Sequence, residues 1–453
     1  ALPVIFRIEC FHGCNLTVGD SIPASGVPSS ADGLRRRVKG MANFLQFTLS
    51  LSIIQALMKY DFDRLVSREG TKCEKFDRRE EIFGRKDVIP MWVADMDFVA
   101  PVEVQKAIAR RAAHPVYGYS YRSDSYFDAI AGWVERHGGW RVRREWMDFT
   151  PGVVSGIVFA LRAFTGEGDG VVIQPPVYHP FARQIRANGR RVIDNPLRID
   201  GQGRFRIDFD DLDRKLSDAK VFLMSNPHNP SGRVYTQEEL TRIGELCIRH
   251  DVLILADEIH SDLIYKPYRH IHIASLSEAL ARRTVSFFAP SKTFNLAGLS
   301  TSVVVTPDDS LRRRLRAEFD KLHADQGNIF GAVALEAAYT HGDEWLEQLL
   351  DYLSGNVDYV VRFLREHLPS VRCVPPEGTY LLWLDFGRWP MSHEEIYRFL
   401  VEEAGIGPNE GAMFGEQGRG WMRLNIASPR QVVERAMRQL LAAAAARGLA
   451  ALP

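Results

Sequence analysis

Three short apolar runs, each breaking off abruptly into a polar turn, constrain this chain more than any other feature. They are Val221-Phe222-Leu223-Met224, leading into Ser225-Asn226-Pro227-His228-Asn229; Val252-Leu253-Ile254-Leu255-Ala256, ending at Asp257; and Thr284-Val285-Ser286-Phe287-Phe288, followed by Ala289-Pro290-Ser291-Lys292. Short uninterrupted apolar runs read as strands buried on both faces, the habit of parallel sheets covered by helices. From Glu103 to about His341 such runs alternate with helical periodicity, and further strands are expected at Val171–Ile173 and Ser302–Val305. The pattern predicts an α/β fold with a mostly parallel sheet sandwiched by helices. In sheets of that kind the carboxyl ends of the strands face one crevice, so Asn229, Asp257 and Lys292 can meet although the chain separates them widely.

A lysine at the rim of an apolar site has its ammonium form disfavoured by desolvation, which lowers its pKa and frees a lone pair for Schiff-base chemistry. Taken singly, Lys292 reads as a solvated surface charge, and a helix cap or an arginine's partner is the lesser alternative for Asp257. Taken with Asn229, the pair suits pyridoxal phosphate. The lysine would hold the aldehyde, Asp257 would keep the pyridine nitrogen protonated, and Asn229 would donate to the ring hydroxyl.

The chain resembles the fold-type I pyridoxal-phosphate enzymes of the class I and II aminotransferase superfamily, over about Met58 to Arg447. The resemblance rests on Asn226-Pro227-His228-Asn229-Pro230-Ser231-Gly232, Asp257-Glu258-Ile259-His260-Ser261-Asp262-Leu263 and Pro290-Ser291-Lys292-Thr293-Phe294-Asn295. Within the superfamily it is most similar to the carbon-sulfur β-lyases, the cystathionine β-lyase-like group that includes the maltose-regulon modulator type. That narrowing is carried by Tyr60-Asp61-Phe62-Asp63, Arg68-Glu69-Gly70-Thr71, Tyr117-Gly118-Tyr119 and above all Pro90-Met91-Trp92-Val93-Ala94-Asp95-Met96-Asp97-Phe98.

The resemblance implies a large cofactor-binding domain plus a smaller α/β domain, and roles for further residues. The backbone amides of Val153 and Val154 open a helix after Thr150-Pro151-Gly152, where aligned dipoles attract a phosphate. Ser291 joins the cofactor set, and Tyr178 is expected to stack on the pyridine. Tyr117 is expected to reach the phosphate of a neighbouring subunit, which implies a homodimer with shared active sites. Arg423 would clamp a substrate α-carboxylate through two parallel hydrogen bonds, with Trp92 and Ala94 also on the substrate side. Two positions depart from the wider superfamily and agree with the lyase-like group, His260 replacing a tyrosine and Ser300 a phosphate-binding arginine; Phe76 departs from that group's own pattern, where a tryptophan is expected.

With 453 residues, 45% of them hydrophobic, the chain is long enough for two or so domains. Lys plus Arg and Asp plus Glu both total 57, so no net field draws it to nucleic acid or an anionic membrane. The basic run Arg312-Arg313-Arg314 has helical apolar spacing around it and reads as a solvated helix face. Five scattered cysteines do not form a secreted disulfide framework, and a cytoplasmic setting fits them. Cys10 and Cys14 lack a second ligand pair, so no metal centre is expected.

Residues 1–57 precede the resemblance and read as an extension outside the catalytic fold. Their apolar stretch Met41 to Ile54 is interrupted by Asn43 and Gln46 and lacks the roughly 20 apolar residues of a membrane span, an anchor or export signal being the alternative to added upstream sequence. Residues 58–102 are expected to form the N-terminal part of the small domain, 103–343 the large domain, 344–446 a linking helix and the rest of the small domain, and 447–453 a tail.

The reaction implied is α,β-elimination. Lys292 removes the α-proton, a thiolate leaves the β-carbon, and pyruvate and ammonia follow. An aminotransferase would share every step through deprotonation and is the alternative. A third reading is a regulatory protein that uses the same fold to bind a partner.

Overall fold

The computed structural model describes residues 60–324 and 326–450 together with two short strands, Phe6–Glu9 and Asn15–Val18. The chain divides into two compact units, residues 1–59 and 60–453. In the first, the two strands pair antiparallel with Phe6 opposite Val18. Cys10, Cys14 and the apolar stretch Met41 to Ile54 lie outside the described residues.

The second unit is built on a seven-stranded sheet. Its order across the sheet is Met147–Thr150, Ser302–Val305, Thr284–Phe288, Leu253–Asp257, Val221–Ser225, Gly170–Ile173 and Arg191–Asp194. The last five run parallel, while Ser302–Val305 runs antiparallel to both its neighbours. Successive side chains of a strand face opposite sides, and here both sides are dry. Phe222, Met224 and Ile254 pack under the helices Phe209–Leu216 and Gln237–Arg249, through Leu212, Leu216, Leu240 and Ile243. Leu223, Leu255, Val285 and Phe287 pack on the other side against Ile157, Leu161, Ile185 and Leu315. Two apolar faces explain why these strands read as unbroken apolar runs. Each fully buried large side chain contributes about 1.5–3 kcal/mol.

Gly156 brings the helix Val153–Phe164 close to the sheet, since a Cβ there would lie 2.9 Å from Thr150 Oγ1 and 3.0 Å from the Phe287 ring. The 25-residue helix Asp343–His367 leads to a four-stranded antiparallel sheet of Arg372–Cys373, Leu381–Asp385, Trp421–Asn425 and Asn409–Glu410. Ile406 and Gly407 pair in parallel with Ile89 and Pro90, tying the start of this unit to its end.

Two features go beyond what the sequence shows, and one expectation is corrected. Met147–Thr150 forms an edge strand; its alternation of Met147 and Phe149 with Asp148 and Thr150 is too short to stand out. Ser302–Val305 is apolar on both faces like its neighbours, and its reversed direction has no signature in composition. In the helix Asp309–Leu322, Arg313 and Arg314 are solvated, but Arg312 turns inward and donates to the carbonyls of Thr306 and Pro307 at 2.9 and 3.1 Å.

Candidate active site

Parallel register brings the polar strand ends together. Asp257 is the last residue of its strand and lies opposite Ser225 on one side and Phe287 on the other. Asn229 follows four residues after Ser225, and Lys292 follows five after Phe287 in the single-turn helix Pro290–Thr293. All three line one cleft of about 180 Å³, together with Ala94, Val153, Val154, Tyr178, His260 and Ser291. Ser155, Ser225, Ser300 and Thr301 complete its polar wall.

At one end of the cleft, the first helical hydrogen bond of Val153–Phe164 runs from Gly156 N to Gly152 O. The amides of Val153, Val154 and Ser155 therefore precede the helical ladder and project from its positive end, as an anion requires. The hydroxyl-bearing residues Ser291 and Ser300 line the same cleft. Sequence reasoning missed Ser155, which the spacing of Val153 and Val154 on one helical turn could have supplied.

Asp257 is buried, and one of its carboxylate oxygens accepts from the Ile259 amide at 3.1 Å. Burial pushes its pKa up to about 7. A buried carboxylate left so basic lacks a close cation, and a protonated ring nitrogen would be one. Asn229 Oδ1 accepts from Arg423 Nη1 at 3.0 Å, which reserves its Nδ2 as a donor. His260 is buried with Nδ1 unpartnered, and burial followed by the charges of Lys292 and Arg423 drives its pKa well down. These groups fit pyridoxal phosphate: anion donors, a carboxylate and the aromatic ring of Tyr178 line the same cleft.

Lys292 donates to the carbonyl of Ala94 at 2.6 Å, and burial, then Arg423, lowers its pKa to about 8. Tyr380, which the sequence did not single out, donates to the same carbonyl at 2.9 Å. Ala94 thus meets the lysine through its backbone.

Arg423 sits behind Asn229. It is 3% exposed, stacks 4.9 Å from the Phe414 ring, and donates to Trp92 O at 2.9 Å and to Asn409 Oδ1. Burial lowers its pKa to about 10, and its Nε is buried with no partner. Trp92 is outside the cleft lining: its indole donates to Lys75 O at 3.2 Å and packs edge-on against Phe83, so its contribution to Arg423 is a main-chain carbonyl. Tyr117 is 59% exposed, donates to Ala112 O and lies away from the cleft within this chain.

The segment bearing Ala94 is anchored from several sides. Asn425 Nδ2 donates to Val93 O and Asp95 O, Asn295 Oδ1 accepts from Met96 N, and fully buried Lys75 binds both oxygens of Asp97 at 2.9 and 3.0 Å. Arg68 pairs with Asp95 and Asp97 and lies over the Phe76 ring.

Glu258, His270 and His272 form a buried cluster with donor atoms within 4.8 Å of one another. Asn226 Oδ1 accepts from Tyr235 N, so its Nδ2 faces His270 Nδ1 at 3.5 Å as a donor. That leaves the hydrogen of His270 on Nε2, 3.4 Å from Glu258 Oε1, while His272 Nδ1 lies 2.8 Å from Glu258 Oε2. Only the His272 contact is a hydrogen bond; Glu258 Oε1 and His270 Nε2 are buried without one.

The family model for aminotransferase class I and II matches residues 86–440. Cystathionine beta-lyase PatB of Bacillus subtilis is 40% identical over 385 residues, covering 84% of this chain and 99% of that protein. Protein MalY of Escherichia coli is 30% identical over 386 residues, covering 84% and 98%. Among solved structures, cystalysin from Treponema denticola, which contains a pyridoxal 5'-phosphate cofactor, superposes with a TM-score of 0.84 at 32% identity, covering 86% of this chain and all of that one.

Proposed function

The chain belongs to the aminotransferase class I and II family, and from that premise we propose that it is a pyridoxal-phosphate-dependent carbon-sulfur β-lyase. It takes an amino acid with sulfur on the β-carbon and, with one water, releases a thiol, pyruvate and ammonia. The observation that carries the chemistry is the meeting of a buried, easily deprotonated Lys292 with a buried Asp257 in one cleft. Kinship to PatB directs that chemistry to the carbon-sulfur bond.

Pyridoxal phosphate supplies an aldehyde that condenses with an amine and a ring that accepts the electron pair left on the substrate α-carbon. Lys292 would be the attachment point and, as a free amine, the base that takes the α-proton at Nζ. Asp257 would keep the ring nitrogen protonated, Asn229 Nδ2 and His260 would serve the ring oxygen, and Tyr178 would supply an aromatic face. The amides of Val153 and Val154 with Ser291 and Ser300 would hold the phosphate. Arg423 fixes the α-carboxylate, its unpartnered Nε being a donor kept in reserve.

This reading includes a homodimer with shared sites and a cytoplasmic setting. The first is supported by the neighbouring aromatics Tyr117, Tyr119 and Tyr121, exposed by 59%, 101% and 85%, which leave an apolar patch on this surface. The second is supported by Cys73, Cys247 and Cys373, which stand unpaired. Among the described residues no helix is long and apolar enough to cross a membrane.

The test is to supply cystathionine without any keto acid and to measure pyruvate and thiol. Equal yields of the two support the lyase. Turnover that depends strictly on a keto acid acceptor would show an aminotransferase, and stable capture of a regulator with no amino-acid turnover would show a binding protein.

A further inference from the structure

We propose that Tyr380 is a positioning residue for Lys292, acting through the carbonyl of Ala94 that both side chains share; this rests on the lyase reading above. A carbonyl oxygen has two lone pairs. On Ala94 one is taken by Lys292 Nζ at 2.6 Å and the other by Tyr380 Oη at 2.9 Å. Tyr380 is 0% exposed, so its hydroxyl has no water to turn to. Its ring stands edge-on to His260, with centroids 6.0 Å apart, which fixes the hydroxyl's direction. The carbonyl is equally fixed, because Asn425 binds the flanking carbonyls of Val93 and Asp95.

The geometry makes Ala94 O the holding point for the lysine amine whenever that amine is free. A protonated amine gains more from a carbonyl than a neutral one does, since a charged donor makes the stronger bond. The hydroxyl's donation draws electron density from the same oxygen and weakens its hold on the ammonium form. Tyr380 thereby favours the neutral amine that can accept a proton from substrate. The charged and titratable groups that also face Lys292 are Asp257, Asp95, Arg423 and His260. Asp95 is paired with Arg68, and the other three line the cleft or lie directly behind it. None of these loses a hydrogen bond when the tyrosine hydroxyl alone is removed.

The experiment is Tyr380→Phe in the full-length holoenzyme, with kcat and KM measured against pH on cystathionine. The expected result is an acid limb of kcat displaced upward by roughly half a pH unit to one unit, which is about a three- to tenfold loss of rate on that limb. KM should change less than about twofold and the rates should converge at high pH. A uniform loss at every pH, or an unmoved acid limb, overturns the proposal. A second measurement does not need turnover. After the cofactor is stripped, the rate at which the visible absorbance band returns with added pyridoxal phosphate should show the same displacement, with Lys292→Ala as the blank. If Lys292→Ala regains the band, the assignment of Lys292 fails; if only Tyr380→Phe matches the unaltered chain, this inference alone fails.

Discussion

The amine of Lys292 donates to the carbonyl oxygen of Ala94 at 2.6 Å, joining residues 198 positions apart. That bond holds a lysine whose burial lowers its pKa to about 8 from an ordinary value of 10.5. Below pH 8 the folded and unfolded chains both hold the proton, so the cofactor-free protein bears the full cost of a buried charge. As pH rises from about 8 toward 10.5 the folded state alone sheds the proton and the cost is relieved. Lys292→Met should therefore stabilise the stripped protein at pH 7 in urea titrations, with the gain shrinking above pH 8. The same change should abolish the visible absorbance band and lower kcat by at least about 10²–10⁴-fold, the usual worth of a positioned acid-base group. A variant with the band intact would remove Lys292 from the centre of the reaction.

Asp257 gives the opposite sign. Its folded-state pKa, raised by burial to about 7, lies above the ordinary value of 3.8. Between those values the folded chain keeps a proton that the unfolded chain releases, so stability falls as pH rises, and the whole penalty is present above pH 7. Asp257→Asn lacks this penalty. In the stripped state the variant should gain on the unaltered chain by on the order of a few kcal/mol between pH 4 and 8. In the holoenzyme the order reverses, because the carboxylate's cationic partner is then bound. The variant should hold pyridoxal phosphate more weakly and turn over more slowly. Parallel pH-stability curves for the two stripped proteins would contradict the assignment.

How much of this was legible in the sequence follows from how each part is encoded. Asn229, Asp257 and Lys292 announce themselves because doubly buried parallel strands are continuous apolar runs, and a polar residue at the end of one is conspicuous. The direction of Ser302–Val305 was not legible, since an antiparallel strand with two buried faces has the same composition. Tyr380 was hidden for a different reason. It looks like one more aromatic beside the apolar strand Leu381–Asp385, and its hydroxyl acquires a role only when the chain around Ala94 is laid across it. Trp92 shows the converse: it sits in the most telling motif of the chain, yet its indole faces Lys75 and Phe83.

Lys75 supports that motif from beneath. It is 0% exposed and binds both oxygens of Asp97, which also accepts from Arg68 and Ser428. Removing one partner of such a pair leaves a buried charge short of compensation, at about 3–5 kcal/mol. Lys75→Met should lower the unfolding free energy by that order in denaturant titrations. Lys75→Met combined with Asp97→Asn should recover more than half the loss, because the uncompensated charge is gone. A double variant as unstable as the single one would show that packing, rather than charge, is what Lys75 provides.

Arg423 tests the substrate side. Its guanidinium is shared among Asn229, Trp92 O and Asn409, and leaves Nε without a partner although it is buried. A lysine at this position keeps a positive charge but cannot present two parallel donors to a carboxylate. Losing a charged hydrogen bond of about 1.5–3 kcal/mol predicts a rise in KM for cystathionine of roughly 10- to 150-fold in Arg423→Lys. The effect on kcat should be smaller, because the bond is made in ground and transition states alike. A decarboxylated analogue separates this role from a general disturbance of the cleft, since Arg423 has nothing on it to bind. The unaltered enzyme and Arg423→Lys should then process the analogue with nearly the same kcat/KM. If the variant instead loses as much on the analogue as on cystathionine, Arg423 serves chiefly to orient Asn229, and the α-carboxylate must be held elsewhere.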